Sequence, residues 1–228
     1  MALARGGRRA DSVFVVRSGP DEERFERGDP EPALKEGRRF LCCYVGKMCE
    51  QDGVDYLLRV ASMLTRERGR DDILFVVIGE GPAVPALRRY AAELALDGSC
   101  RFTGFLSDRD VGRYLSTADL GIDPDPKNAW SDRSTMNKVL DYMFFGCPIV
   151  AFDLKENRVS AEGCGRFVTP NSEHAMADAI EELLADHELR SRMASSAAER
   201  AHGHLLWRYS RPRLLAAYEH LFATEPRG

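Results

Sequence analysis

Lysine is scarce in this 228-residue chain, with five residues against 27 arginines, and no stretch interleaves a basic block with aromatics. The 32 basic and 36 acidic residues leave a net charge of -4, which excludes nucleic acid as a main partner because no surface is set aside to neutralise a phosphate backbone. The six cysteines (Cys42, Cys43, Cys49, Cys100, Cys147 and Cys164) form no C-x-x-C pair, and none joins the five histidines at zinc-ligand spacing. No metal site is expected. Cysteines in runs such as LCCYVG read as small buried hydrophobes of a reducing compartment. Nowhere do the roughly 18 consecutive apolar residues of a membrane span occur, and MALARGGRRADS lacks the apolar core of a secretory leader. A cytoplasmic protein is expected, with peripheral membrane contact left open. There is no G-x-x-x-x-G-K-[ST] loop, no G-x-G-x-x-G fingerprint and no internal repeat, which argues against an NTPase, a dinucleotide oxidoreductase and a solenoid.

What is present is a 44% hydrophobic chain, enough for a sizeable core. Residues 12–17, SVFVVR, read as a short strand, and the Gly-, Pro- and charge-rich stretch after it reads as a linker. From residue 38 short apolar runs alternate with amphipathic ones. RFLCCYVG, DILFVVIG, CRFTGF, DLGIDP, PIVAFD and GRFVT are expected strands, the first five separated by helical patterns. Three helices are expected over roughly 172–222. Evenly apolar strands imply burial on both faces, so the expected architecture is an α/β, Rossmann-like doubly wound parallel sheet with C-terminal helices. The divisions expected are 1–37 as the tail of a preceding domain plus linker, 38–204 as the sheet domain, and 205–228 as a C-terminal helix and tail.

In such a sheet ligands bind where strands end and helices begin. Three junctions are chemically marked. YVGKMCEQDG places Gly46 and Lys47 after a strand; VVIGEGP places Gly79 and Gly81 where backbone can approach closely, as a turn or as a binding loop; DPDPKNAWSDRSTMNK is a long loop feeding a helix. That helix, STMNKVLDYMFFG, is expected to open at Ser134 with Thr135 and Lys138 at its positive end, suited to an anion, while Val139, Leu140, Met143 and Phe144 bury its other face. Trp130 either covers a ligand or anchors the loop, and Glu156 and Arg158 either face a sugar or form a local charge pair. Histidines 174, 187, 202, 204 and 220 read as solvated helix residues.

The order of these signals resembles the C-terminal, donor-binding domain of retaining glycosyltransferases of the GT-B fold, family 4 (group 1). VVRSGPDEERF resembles the family's entry into its second domain, YVGKMCEQDGVDYLL its first phosphate loop, VVIGEGP its glycine turn, and KVLDYMFFGCPIVAFD its Glu-Ala-Met-Ala-x-Gly-x-Pro signature. The resemblance implies a nucleotide-diphosphate sugar as donor substrate, no cofactor, and a transferase activity. It implies that Lys47 and Lys138 are the catalytic cations on the leaving diphosphate, joined by Gly46, Gly79, Gly81 and the hydroxyls and N–H groups of Ser134 and Thr135. Asp141 would accept from the ribose, backbone groups of Arg101, Phe102 and Thr103 would meet the base, and Phe105 would line its pocket. Two positions differ from the family pattern: Arg133 stands where the first of two paired glutamates is usual, and Asp52 where a lysine is usual.

A complete enzyme of this kind has two such domains, so the resemblance also implies an N-terminal acceptor domain outside this sequence. The last helix, whose aromatics include Trp207, Tyr209, Tyr218 and Phe222, would offer an apolar face through which two copies could pair. Two alternatives stay open: a nucleotide-binding or partner-docking module without activity, and a sugar-nucleotide epimerase.

Overall fold

Every residue of the strand Ile73–Ile78 is buried, as are the first five of Phe40–Val45. Neither shows the polar alternation of a half-exposed strand, because each is covered on both faces. The computed structural model describes residue 7 and residues 9–224. Its six strands are β1 Phe40–Val45, β2 Ile73–Ile78, β3 Cys100–Gly104, β4 Leu120–Asp123, β5 Ile149–Phe152 and β6 Gly165–Val168. All adjacent pairs are parallel, and the order across the sheet is β3-β2-β1-β4-β5-β6. The chain moves outward from β1 to β3 and then returns to the other side of β1 with β4. The crevice between the C-terminal ends of β1 and β4 is therefore the switch point where ligands of doubly wound sheets collect.

The helices are α1 Val54–Ser62, α2 Val84–Glu93, α3 Asp108–Thr117, α4 Asn137–Phe145, α5 Lys155–Ser160, α6 Glu173–Ala185, α7 His187–Arg200 and α8 Trp207–Thr224. Successive strand residues point to opposite faces, and the core divides accordingly. Cys42, Tyr44, Phe75 and Val77 pack with α1, α2 and α6 on one side. Leu41, Cys43, Val76 and Ile78 pack with α3, α4 and α7 on the other.

The expected α/β architecture is present, with four local corrections. Residues 12–17 form no strand: a short 3-10 turn at Ala10–Ser12 leads into extended chain. That chain pairs with no sheet edge, and Phe14 instead packs its ring 5.6 Å from that of His220 in α8. The helix expected from Ser134 begins at Asn137, because Ser134 turns its hydroxyl back to donate to the Trp130 carbonyl at 2.9 Å and the backbone at Met136 is still extended. Residues 155–160, read as loop, form α5; its inward residues Asn157 and Ser160 are polar, so no apolar period marked it. His202 is not merely solvated, since its Nε2 lies 3.1 Å from the Phe144 carbonyl oxygen. The part of the sequence-derived first division at residues 1–6 and 8, and the end of the last at 225–228, lie outside the described residues.

Gly53, which opens α1, shows how the loops at the strand ends are held together. Its φ is +67, and a Cβ there would overlap the carbonyl of Pro124 just beyond β4. Gly53→Ala should therefore lower stability by at least about 1–2 kcal/mol, the ordinary cost of a left-handed residue with a side chain, as measured by urea unfolding.

Candidate functional site

Beyond the C-terminal end of β4 a lysine is buried among acids. Lys138, in the first turn of α4, is 10% exposed, and its Nζ contacts Asp125 and lies 3.3 Å from Asp123 Oδ1. Asp123 is fully buried and accepts at its other oxygen from Asn157 Nδ2 of α5 at 2.6 Å. The ring of Tyr44 in β1 lies under the ammonium, 5.4 Å away. Burial disfavours charge on both acids, but one ammonium serves two carboxylates, so they part company. Lys138 and the Asn157 amide hold Asp123 below the usual carboxylate range, whereas burial and the Asp123 charge push Asp125 above it. Lys138 is held more firmly protonated than an ordinary lysine, its burial outweighed by the two acids. Removing it would strand buried carboxylates, so Lys138→Ala should cost about 3–5 kcal/mol in chemical denaturation.

Above this cluster the first junction closes over α4. A Cβ on Gly46 would lie 3.3 Å from Lys138 Cε. Gly46 N donates to the Ile78 carbonyl at 3.0 Å and Gly79 N to that of Gly104 at 3.0 Å, so three strand ends are laced side by side. Gly79 and Gly81 press on the carbonyls of Gly46 and Met48, leaving no room for a side chain at either. Together Gly46, Lys47, Gly79, Gly81 and Phe105 line a cavity of about 520 Å³. Lys47 is exposed at its mouth and makes no ion pair or hydrogen bond through its ammonium among the described residues, whereas Lys35, Lys127, Lys138 and Lys155 each pair with an aspartate. Phe105 is 76% exposed beside it.

The other expected site residues fall elsewhere. Asp141, one turn into α4, lines a second cavity of about 430 Å³ with Arg24, Asn137 and Trp207. Val111 of α3 lines the first cavity, while Asp108 at the start of the same helix pairs at 2.9 Å with Arg24, which lines the second. Ser134 and Thr135 stand in the extended segment before α4, whose N-terminus carries no side-chain cap. Arg101 and Phe102 lie partway along β3, an edge strand, and line a separate hollow; Arg101 pairs with Glu36 at 2.7 Å and Phe102 lies beneath Arg88. Thr103 donates its hydroxyl to the Gly104 carbonyl at 2.9 Å. Asp52 accepts from Cys49 N at 2.7 Å, bracing the first loop. Trp130 is 60% exposed on a loop pinned by Asn128 and Ser131. Glu156 pairs with Arg17 at 2.8 Å and Arg158 with Asp153. Asp123, Asp125, Asn157 and Arg24 were not identified from sequence. A lysine four residues before a run of buried aromatics was the available signal, since a buried ammonium needs carboxylates and DPDP stands in the loop upstream, at residues 123–126.

A family model described as "Glycosyl transferases group 1" matches residues 39–186, and the chain belongs to that family. It is similar to the alpha-D-kanosaminyltransferase of Streptomyces kanamyceticus, 34% identical over 77% of this chain and 46% of that one. It is also similar to a D-inositol 3-phosphate glycosyltransferase of Corynebacterium glutamicum, 27% identical over 94% of this chain and 53% of that one. The chain thus spans about half the length of the curated relatives it matches. Among solved structures, Anabaena Alr3699/HepE in complex with UDP and glucose superimposes with a TM-score of 0.75 over 96% of this chain and 60% of that one, at 17% identity. A C-terminal domain of a group 1 family protein from Francisella tularensis superimposes with a TM-score of 0.65 over 81% of this chain and 97% of its own, at 19% identity. The fold is that of GT-B glycosyltransferases. Among the described residues no helix is long and apolar enough to cross a membrane.

Asp141 carries a stability signature. Burial raises its carboxyl to about 7, with Arg24 opposing and Asp108 reinforcing the shift. The folded protein holds this proton more tightly than the unfolded chain, so the contribution is fully present below the ordinary carboxylate range and is lost as pH rises through about 7. Asp141→Asn should therefore raise the melting temperature at about pH 8 and leave it unchanged at about pH 3, read by calorimetry at both values.

Proposed function

We propose that this chain is the donor-binding half of a retaining glycosyltransferase that moves a sugar from a nucleotide-diphosphate sugar to an acceptor. The observation that carries the reading is Lys47: it is the one lysine without a carboxylate partner among the described residues, set at the mouth of the glycine-lined cavity beside the switch point. In this reading the base lies against Phe105, the diphosphate meets Lys47 and the uncapped N-terminus of α4, and the ribose reaches Asp141 around the first turn of that helix. Lys47 and the helix terminus then meet the charge that develops on the leaving diphosphate, which is electrostatic catalysis by pre-placed positive groups. Lys138, with its ammonium already committed to two acids, acts in this scheme by holding α4 in place. UDP in the Anabaena neighbour and the similarity to sugar transferases support a nucleotide-sugar donor.

The acceptor would be held by a further domain, as the half-length match to relatives suggests. An apolar strip on α8 and on the N-terminal extended chain that packs against it, including Phe14, Val15, Leu215, Tyr218 and Phe222, is exposed and would suit either that domain or a second copy of the chain. A cytoplasmic location, with contact at a membrane surface, fits the same reading. The commitment of Lys138 to Asp123 and Asp125 favours a second reading, a nucleotide-binding module without transfer activity.

Calorimetric titration with uridine, guanosine, adenosine and thymidine diphosphates tests the donor reading. At least one should bind, and Lys47→Ala should weaken it about 10-fold or more while affecting the free nucleoside little, as loss of a charge-assisted contact requires. Absence of binding for every base would sink the proposal.

A further inference from the structure

Asp141 stands out among the carboxylates near the strand ends: it is partly buried, it faces the second cavity, and no hydrogen bond or ion pair to its side chain occurs among the described residues. One cation lines that cavity, Arg24, which comes from the segment preceding the sheet domain. Arg24 does not close on Asp141. Its Nε donates to Asp108 Oδ2 at 3.1 Å and its Nη2 to Oδ1 at 2.9 Å, a two-pronged grip by the first residue of α3. The Phe25 ring, packed against Phe144 and Phe145 of α4 at 5.9 and 5.4 Å, lies 5.5 Å from the guanidinium and fixes where it can reach.

We infer that Arg24 and Asp108 form a positioning pair for Asp141: Arg24 supplies the positive charge that faces this carboxylate, and Asp108 holds the guanidinium back, so that the carboxylate stays open to the vicinal hydroxyls of a ligand. The inference rests on the proposed donor reading for the identity of that ligand, but the pairing itself is a property of the ligand-free protein.

Two opposed roles follow from the charges. Without Arg24, the charged groups left facing Asp141 among the described residues are acids, Asp21 from the same segment and Asp108 from α3, while α8 contributes the uncharged Trp207. Its own helix offers no substitute, since Lys138 is turned to Asp123 and Asp125. Without Asp108, the guanidinium is released to bond Asp141 directly, which favours its charge but occupies the atoms a ligand would use. Arg24 and Asp108 are 60% and 46% exposed, so their bond is weak enough for such competition. The pair also fastens the preceding segment to the donor side of the domain, where Trp207 N donates to the Pro20 carbonyl at 2.9 Å.

The test is a carbon-13 NMR titration of the Asp141 carboxyl in the ligand-free 228-residue chain, together with uridine and guanosine diphosphate binding between pH 6 and 9. Arg24→Gln should move the Asp141 midpoint up by about one pH unit and Asp108→Asn should move it down by a similar amount, as gain or loss of a nearby opposite charge requires. Arg24→Lys, which keeps the charge, should stay close to the parent. Arg24→Gln should bind nucleotide about five-fold more weakly at pH 7 and match the parent by pH 9, whereas Asp108→Asn should bind weakly throughout. Midpoints that move in neither variant overturn the inference even where the parent binds nucleotide normally. Midpoints that move as stated beside a parent that binds neither nucleotide uphold the pairing and count against the donor reading instead.

Discussion

The ammonium of Lys138 is the contact on which the strand ends depend. It joins the end of β4, through Asp123 and Asp125, to the first turn of α4, and Asn157 extends the join to α5. Gly46 rests on its stem and Tyr44 on its charge, so the loop after β1 takes its height from the same residue. A buried ion cluster of this kind adds little net stability over apolar packing of the same volume, because desolvation offsets most of the attraction. What it contributes is geometry: three elements cannot move apart without leaving a buried charge alone.

That constraint explains how lysines are used in a chain that has so few. Four of the five are held by aspartates, and the buried one is structural in its contacts. The one left over, among the described residues, stands at the cavity lined by Gly46, Gly79, Gly81 and Phe105. Lys138 is thus committed to the fold, and Lys47 is the lysine whose ammonium has no carboxylate partner among the described residues. Asp141 shows the converse arrangement. A carboxylate kept partly buried, with no hydrogen bond or ion pair among the described residues, is unfavourable for the fold, and the nearby arginine is diverted to Asp108.

The sheet was legible because its strands are buried on both faces: FLCCYV and ILFVVI have one apolar character throughout, and the glycines at their ends mark where backbones approach. Failures occurred where contacts at long sequence separation replaced local pattern. SVFVVR has strand composition, but the partner it meets is α8. KENRVS lacks an apolar period because its inward residues, Asn157 and Ser160, are polar, and Asn157 is turned in to donate to Asp123.

Sequence alone determined the fold class, the three loops at the strand ends and the family resemblance, since periodicity, glycine positions and motif order are written along the chain. Only the tertiary structure decided which charges are free. STMNK looks like an anion site read linearly, yet folding brings Asp123 and Asp125 from thirteen or more residues upstream to take its lysine, and brings Arg24 from the segment preceding the sheet domain to face Asp141. Charge is a local property of a residue, but its availability depends on neighbours that the order of the chain does not place beside it.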